Sequence, residues 1–322
     1  MSSQARQSLS ATAPAIAEPT LDSPRPNAQS RYGNSFLAEQ LANREVDSDD
    51  HAGAGHDHSH EHGPDAPPSP DMQFGSAQST ATPLRVKHPL PRQTGDQSRT
   101  CLGVQILGSN VSPSALDACE AFVKLTLSAR KDIQERMKNS NVALVIIPSD
   151  KKMTDVSQFA SLKGTKTVDG RIWDDVRGSG GMATGGLWAI AVPEENLIEQ
   201  TPSTDKYAEG YSVGLHELAH TIQNKGVSSA ERKTITALYE ARKKAGGPWT
   251  DTYASSNELE YFAQATNCYH GANRGQGKNG PKWLKDNDNA MFEFLKTLYG
   301  EVQVAENQFD DALLPSGDSA YA

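Results

Sequence analysis

His216-Glu217-Leu218-Ala219-His220 is the stretch on which the reading of this chain turns. On an α-helix, positions i and i+4 share a face, so both imidazoles can aim a ring nitrogen at one cation, with Glu217 beside it. Val213, Leu215, Leu218, Ala219 and Ile222 surround them as a half-buried helical stripe, which sets the histidines against a core. Burying two imidazoles and a carboxylate with no cation among them leaves polar groups to be satisfied at a cost, so a metal site is the better reading. Zinc takes imidazole nitrogen at roughly 2.0–2.1 Å, and catalytic sites use three protein ligands and keep a fourth position open. A third ligand is therefore required.

One arrangement places a Gly three residues and a His six residues after the second histidine. Those positions hold Gln223 and Gly226, which excludes it. The alternative is a carboxylate from a second helix. Residues 229–245 are rich in helix formers (Ala230, Glu231, Arg232, Leu238, Glu240, Ala241) and stop at Gly246-Gly247-Pro248. After a loop, Ser255, Ser256 and Asn257 are all suitable N-caps for an amphipathic helix that begins near Glu258. Either Glu258 or Glu260 could turn inward. Ala263, Gln264 and Asn267 give Glu260 a small, polar helical face suited to a metal site, whereas Glu258 suits the first-turn acid that answers a helix dipole. Glu240 and His270 are further candidates, each of a type that is more often solvated or capping.

The run Tyr253-Ala254-Ser255-Ser256-Asn257-Glu258-Leu259-Glu260-Tyr261-Phe262-Ala263-Gln264-Ala265, following the His216 motif, resembles the anthrax lethal factor-type metalloprotease domain. The resemblance extends from Cys101 to Gly300 and is strongest between Gly210 and His270. It implies a zincin-like fold, one Zn²⁺ per chain held by His216, His220 and Glu260, and Glu217 as general base. It also implies that Tyr253, seven residues before the third ligand, points toward the metal-bound water and the substrate oxyanion. The function it implies is hydrolysis of a peptide bond in a protein substrate, in a secreted or delivered effector or toxin. Gln264 departs from the pattern, since toxin members carry a second acid there that supports the zinc ligands. Such supporting groups change metal affinity about 10- to 100-fold, so weaker zinc retention is expected, with function kept.

Ahead of the zinc helix lie Trp173 to Gly181 and then Gly185-Gly186-Leu187-Trp188-Ala189-Ile190-Ala191-Val192-Pro193. A phosphate loop is excluded, because there is no Gly-Lys-Ser/Thr end and the glycines lead into an apolar run. Residues 187–192 are a candidate sheet edge above the metal, able to bind peptide backbone by strand addition, and equally a candidate buried strand. Val142, Leu144, Val145, Ile146 and Ile147 mark a central strand within residues 141–148. Ser112-Pro113 reads as N-cap and N1 of one long helix carrying Leu116, Cys119, Phe122, Val123, Leu127, Ile133 and Met137. These elements predict an α+β fold with a small mixed sheet and active-site helices.

Composition divides the chain into a tail at 1–83, a metalloprotease domain at 84–303 and a C-terminal tail at 304–322. Residues 1–83 lack apolar periodicity and are heavy in Ser, Ala, Pro, Gly and Asp, so they are expected to be disordered. They hold four Arg and no Lys against eleven acids, or −7 of the formal −9, which leaves the remainder nearly neutral. Neither nucleic-acid binding nor a basic membrane footprint is suggested. No apolar run approaches the length of a membrane span, and the N-terminus lacks a basic start followed by an apolar segment. The expectation is a soluble monomer, cytoplasmic before any dedicated export. Cys101, Cys119 and Cys268 form no CxxC pair, and buried thiols are expected.

His56-Asp57-His58-Ser59-His60-Glu61-His62, with His51 nearby, could collect divalent metal. Alternation in a flexible segment fixes no coordination geometry, so scavenging for the main site is the expected role. Two other functions compete with the endopeptidase: a catalytically silent, toxin-like docking module, and a metal-binding interaction protein centred on this tract. The intact His216 motif favours the enzyme over the first. Deletion of residues 1–83 separates it from the second.

Overall fold

Val142–Ile147 is buried at all six positions, the pattern of a strand covered on both faces, and it forms the centre of the sheet. The computed structural model describes residues 89–167, 170–198, 211–272 and 280–302. The expected tails at 1–83 and 304–322, with the His-rich tract, lie outside the described residues. The architecture is α+β. A five-stranded mixed sheet runs in the order β1 (Asp96–Cys101), β2 (Val104–Ser109), β3 (Val142–Ile147), β5 (Leu187–Pro193), β4 (Ser179–Thr184). β2, β3 and β5 are parallel, and β1 and β4 are antiparallel additions at either end.

Alternation along the strands sends Leu144, Ile146, Ile190 and Val192 into the larger core, shared with the helices. Val145, Ile147, Ala189 and Ala191 face a smaller core closed by Met153, Phe159 and Trp173. The long helix expected after Pro113 is two helices, α1 (Pro113–Leu127) and α2 (Lys131–Asn139). The apolar stripe explains the break: a continuous helix would set Arg130, seven residues after Val123 and eleven after Cys119, in the middle of the buried face, and the interruption lets it leave the core. Arg130 takes extended backbone between them and pairs with Asp132 and Glu231, at 2.7 and 2.9 Å.

After the short α3 (Glu194–Leu197), α4 (Val213–Thr221) carries the histidine motif. Ser212 caps it by accepting from the Leu215 amide at 3.2 Å. One turn of π-helix (Ile222–Gly226) follows, then α5 (Ser229–Ala245). α5 begins in a Ser228/Glu231 capping box, and it stops at left-handed Gly246, where the sequence sets its end. α6 (Glu258–Tyr269), α7 (Pro281–Asn287) and α8 (Asn289–Tyr299) complete the chain. Among the described residues, no helix is long and apolar enough to cross a membrane. Cys101, Cys119 and Cys268 are buried free thiols.

Residues 187–192 are not the sheet edge. β5 is paired on both sides, so the alternative reading of a buried strand holds, and among the described residues β4 is the edge. Trp188 donates its amide to Asn141 on the β3 side. Alternation then turns Leu187 and Ala189 toward β4, and Thr184 and Met182 back toward them. The main-chain groups of Ala183 are left facing the open edge.

His270 caps the C-terminus of α6, buried with its ring centroid 5.2 Å from those of both Tyr269 and Tyr299. Burial pushes its pKa down to about 4, against about 6.5 in an unfolded chain. Between these values only the unfolded state takes the proton, so stability falls as pH drops from about 6.5 to 4. Denaturant unfolding of chelated protein at pH 7 and 4.5 is expected to show a loss of about 2–3 kcal/mol from this residue. His270→Phe should flatten that part of the profile, and an unchanged slope would contradict the assignment.

Candidate metal centre

α4 and α6 pack against each other and deliver three side chains to one point. His216 and His220 are one turn apart on α4, with Nε2 atoms 3.1 Å from each other. The Glu260 Oε2 lies 3.2 Å from His216 Nε2 and 3.5 Å from His220 Nε2. Three ligands at roughly 2.0–2.1 Å from a tetrahedral zinc stand about 3.3 Å from one another, so the spacing fits that ion without rearrangement. Among the described residues this is the group of His, Cys, Asp and Glu side chains whose ligand atoms converge.

Cap geometry settles which acid turns inward. Asn257 accepts from the amides of Leu259 and Glu260 at 2.9 and 3.0 Å and fixes the start of α6. Glu260 then faces α4 and is fully buried, while Glu258 remains half-exposed beside Gln223. Glu240 is exposed, and His270 sits in its aromatic cap away from the cluster.

The electrostatics match the donor set. Burial opposes ionisation of Glu260, but His220 and His216 outweigh it and hold this carboxyl well below the usual range. Burial drives the His216 pKa down, against the pull of Glu260. An ionised carboxylate beside a deprotonated imidazole is the protonation state that metal binding requires.

Glu217 is fully buried, and neither of its carboxylate oxygens has a hydrogen-bond partner among the described residues. Burial, reinforced by Glu260, pushes its pKa well above the ordinary value, and Arg171 opposes the shift. Tyr253 comes from the loop before α6, which is held by the Asp251 carboxylate on the Ala254 amide at 2.8 Å and by Tyr239 Oη on the Ser255 carbonyl at 3.1 Å. Its hydroxyl faces Glu260; burial first, then Glu260 and Glu217, raise its pKa, so it stays a neutral donor. Gln264, one turn beyond Glu260, is fully buried, and neither of its amide atoms has a hydrogen-bond partner among the described residues.

The structure thus brings His216, Glu217, His220, Tyr253 and Glu260 together. Arg171 belongs to the same electrostatic neighbourhood and was not legible in the sequence. It lies in a hairpin turn closed by Thr167 N–H on the Arg171 carbonyl at 2.8 Å, and only the fold carries it toward Glu217.

Comparison with known proteins follows the same residues. The family model described as "Anthrax toxin lethal factor, N- and C-terminal domain" matches residues 121–298. No curated protein matches the chain. Among solved structures, the chain is similar to the Pro-Pro endopeptidase from Paenibacillus alvei, with 18% sequence identity and a TM-score of 0.43. That likeness covers 61% of this chain and 97% of the other.

Proposed function

We propose, since the chain belongs to the anthrax toxin lethal factor family, that it is a zinc-dependent endopeptidase acting on a protein or peptide substrate. The observation that carries this reading is the buried triangle of His216, His220 and Glu260 ligand atoms at 3.1–3.5 Å, with Glu217 beside it. We assign one zinc ion per chain to His216, His220 and Glu260. When bound, zinc supplies Lewis acidity, polarising a peptide carbonyl and making a water acidic enough to act at neutral pH.

The remaining work falls to the protein. Glu217, a buried carboxylate with unsatisfied oxygens, takes the proton from the attacking water onto one of them. It then passes that proton to the departing amine nitrogen. Tyr253 donates its hydroxyl hydrogen to the charge that develops on the substrate's carbonyl oxygen. The open edge of β4 receives extended substrate by main-chain pairing at Ala183. A secreted or delivered effector, acting as a monomer, is the biological setting that this reading favours.

Converging ligand atoms with the buried acid Glu217 beside them favour an enzyme over a silent docking module. The test is digestion of a peptide library by zinc-loaded protein, with and without a chelator. Chelator-sensitive cleavage is expected, and it should persist after deletion of residues 1–83. Activity that vanishes with that deletion while zinc stays bound would shift the function to the tail.

Two substitutions probe the assigned roles. Tyr253→Phe is expected to lower kcat about 10²- to 10³-fold with zinc content unchanged. A loss confined to KM would instead place the hydroxyl in ground-state binding. Gln264→Glu restores an acid beside Glu260, and should tighten zinc binding about 10- to 100-fold in a competitive chelator titration. No change would mean that this side chain does not reach the ligating imidazoles.

A further inference from the structure

We propose that Thr221 is a positioning residue whose hydroxyl latches the edge strand β4 to the helix carrying His216 and His220, and so sets where an extended substrate can pair. The proposal deepens the peptidase reading and rests on it only for the kinetic consequence.

Thr221 follows the second histidine and is fully buried. Its hydroxyl donates to the Gly180 carbonyl and accepts from Trp188 Nε1 at 3.2 Å. Ser179 faces Ala191 of β5, so alternation turns the Gly180 carbonyl outward, away from the ladder. Thr221 therefore supplies a hydrogen bond that the sheet does not. Trp188 holds the hydroxyl in this orientation, with the Lys225 Nζ 4.1 Å over its ring.

The two glycines are needed for this contact. A Cβ on Gly180 would stand 2.8 Å from the Cβ of His220, so the strand's main chain lies directly on the second histidine. Gly181 has φ +109, and a Cβ there would meet Trp188 Nε1 at 2.2 Å and Thr221 Oγ1 at 2.8 Å. The ladder shifts register between Ser179 and Met182, as a bulge does. With the Gly180 carbonyl occupied, the outward main chain offered to a peptide begins at Ala183. The latch thereby fixes the height and starting register of substrate pairing relative to the metal centre, through a residue that touches neither.

The test compares Thr221→Val, which keeps the shape and removes the hydroxyl, with Thr221→Ser, which keeps the hydroxyl. On the zinc-loaded full chain, the Val variant is expected to raise KM for an extended peptide about tenfold, with kcat and zinc content close to wild type. Amide hydrogen exchange at Met182 and Thr184, which face β5, should speed up about tenfold in the Val variant, and the Ser variant should match wild type in both readouts. Equal KM and exchange in Val and wild type would overturn the proposal. So would a Ser variant as impaired as Val, since shape would then be the cause. Should the Val variant not fold, Trp188→Phe removes the other side of the latch and must show the same acceleration for the proposal to stand. A wild type that cleaves nothing would sink the peptidase reading, and the exchange contrast would still decide the latch.

Discussion

Replacing Glu217 by Gln is expected to lower peptide turnover about 10²- to 10⁴-fold while leaving one zinc bound per chain. The amide matches the carboxylate in shape, so the packing of α4 and the ligand triangle should persist. What is lost is the ability to accept a proton. Glu217 lies in a fully buried position where both carboxylate oxygens lack hydrogen-bond partners among the described residues, an arrangement that costs stability and is explained by use. A structural role would make the Gln variant as stable as wild type or more so, with activity intact. The assay is steady-state cleavage of a selected peptide, with zinc measured by elemental analysis on the same samples. Equal turnover by both proteins would remove Glu217 from the reaction.

Stripping the metal is expected to cause the largest change in stability. His216, His220 and Glu260 are buried to 2% exposure or less, and their ligand atoms crowd within 3.5 Å of one another. An ion that binds only the folded chain stabilises it by about 4 kcal/mol when free zinc stands at 1,000 times Kd. For a domain of this size, each kcal/mol moves the midpoint by about 2–4 °C, so chelation should lower it by roughly 8–16 °C. His220→Ala should unfold at the same temperature with and without chelator. A wild-type midpoint indifferent to zinc would mean that the triangle is a satisfied polar cluster rather than a metal site.

Much of this was legible because local physics decided it. Helical spacing pairs His216 with His220, and the letters at Gln223 and Gly226 exclude a third histidine on the same segment. Strong helix formers over 229–245 and the stop at Gly246 marked α5 in the sequence, and the structure keeps those bounds. The sequence pattern favoured Glu260 over Glu258, but three adjacent residues could cap α6, so the start of the helix was not fixed by the letters. Asn257 took the position and rotated Glu260 inward.

What was not legible depended on partners distant in the chain. The strand that became the edge reads Ser-Gly-Gly-Met-Ala-Thr, with weak β propensity, and its place comes from packing on α4 through Thr221 and His220. The apolar run at 187–193 carried the stronger strand signal and was drawn into the sheet interior instead. Arg171 gave no sign in the sequence, because a hairpin arginine acquires meaning only when the fold sets it near Glu217.

The central claim is that two helices grip one zinc ion through His216, His220 and Glu260. Crystals of the zinc-loaded full chain, with anomalous diffraction recorded on both sides of the zinc absorption edge, test it most directly. The account requires a single dominant anomalous peak at roughly 2.0–2.1 Å from both Nε2 atoms and from a Glu260 carboxylate oxygen. A peak ligated elsewhere, or a Glu260 carboxyl turned away from the paired imidazoles with the ion bound, would contradict it.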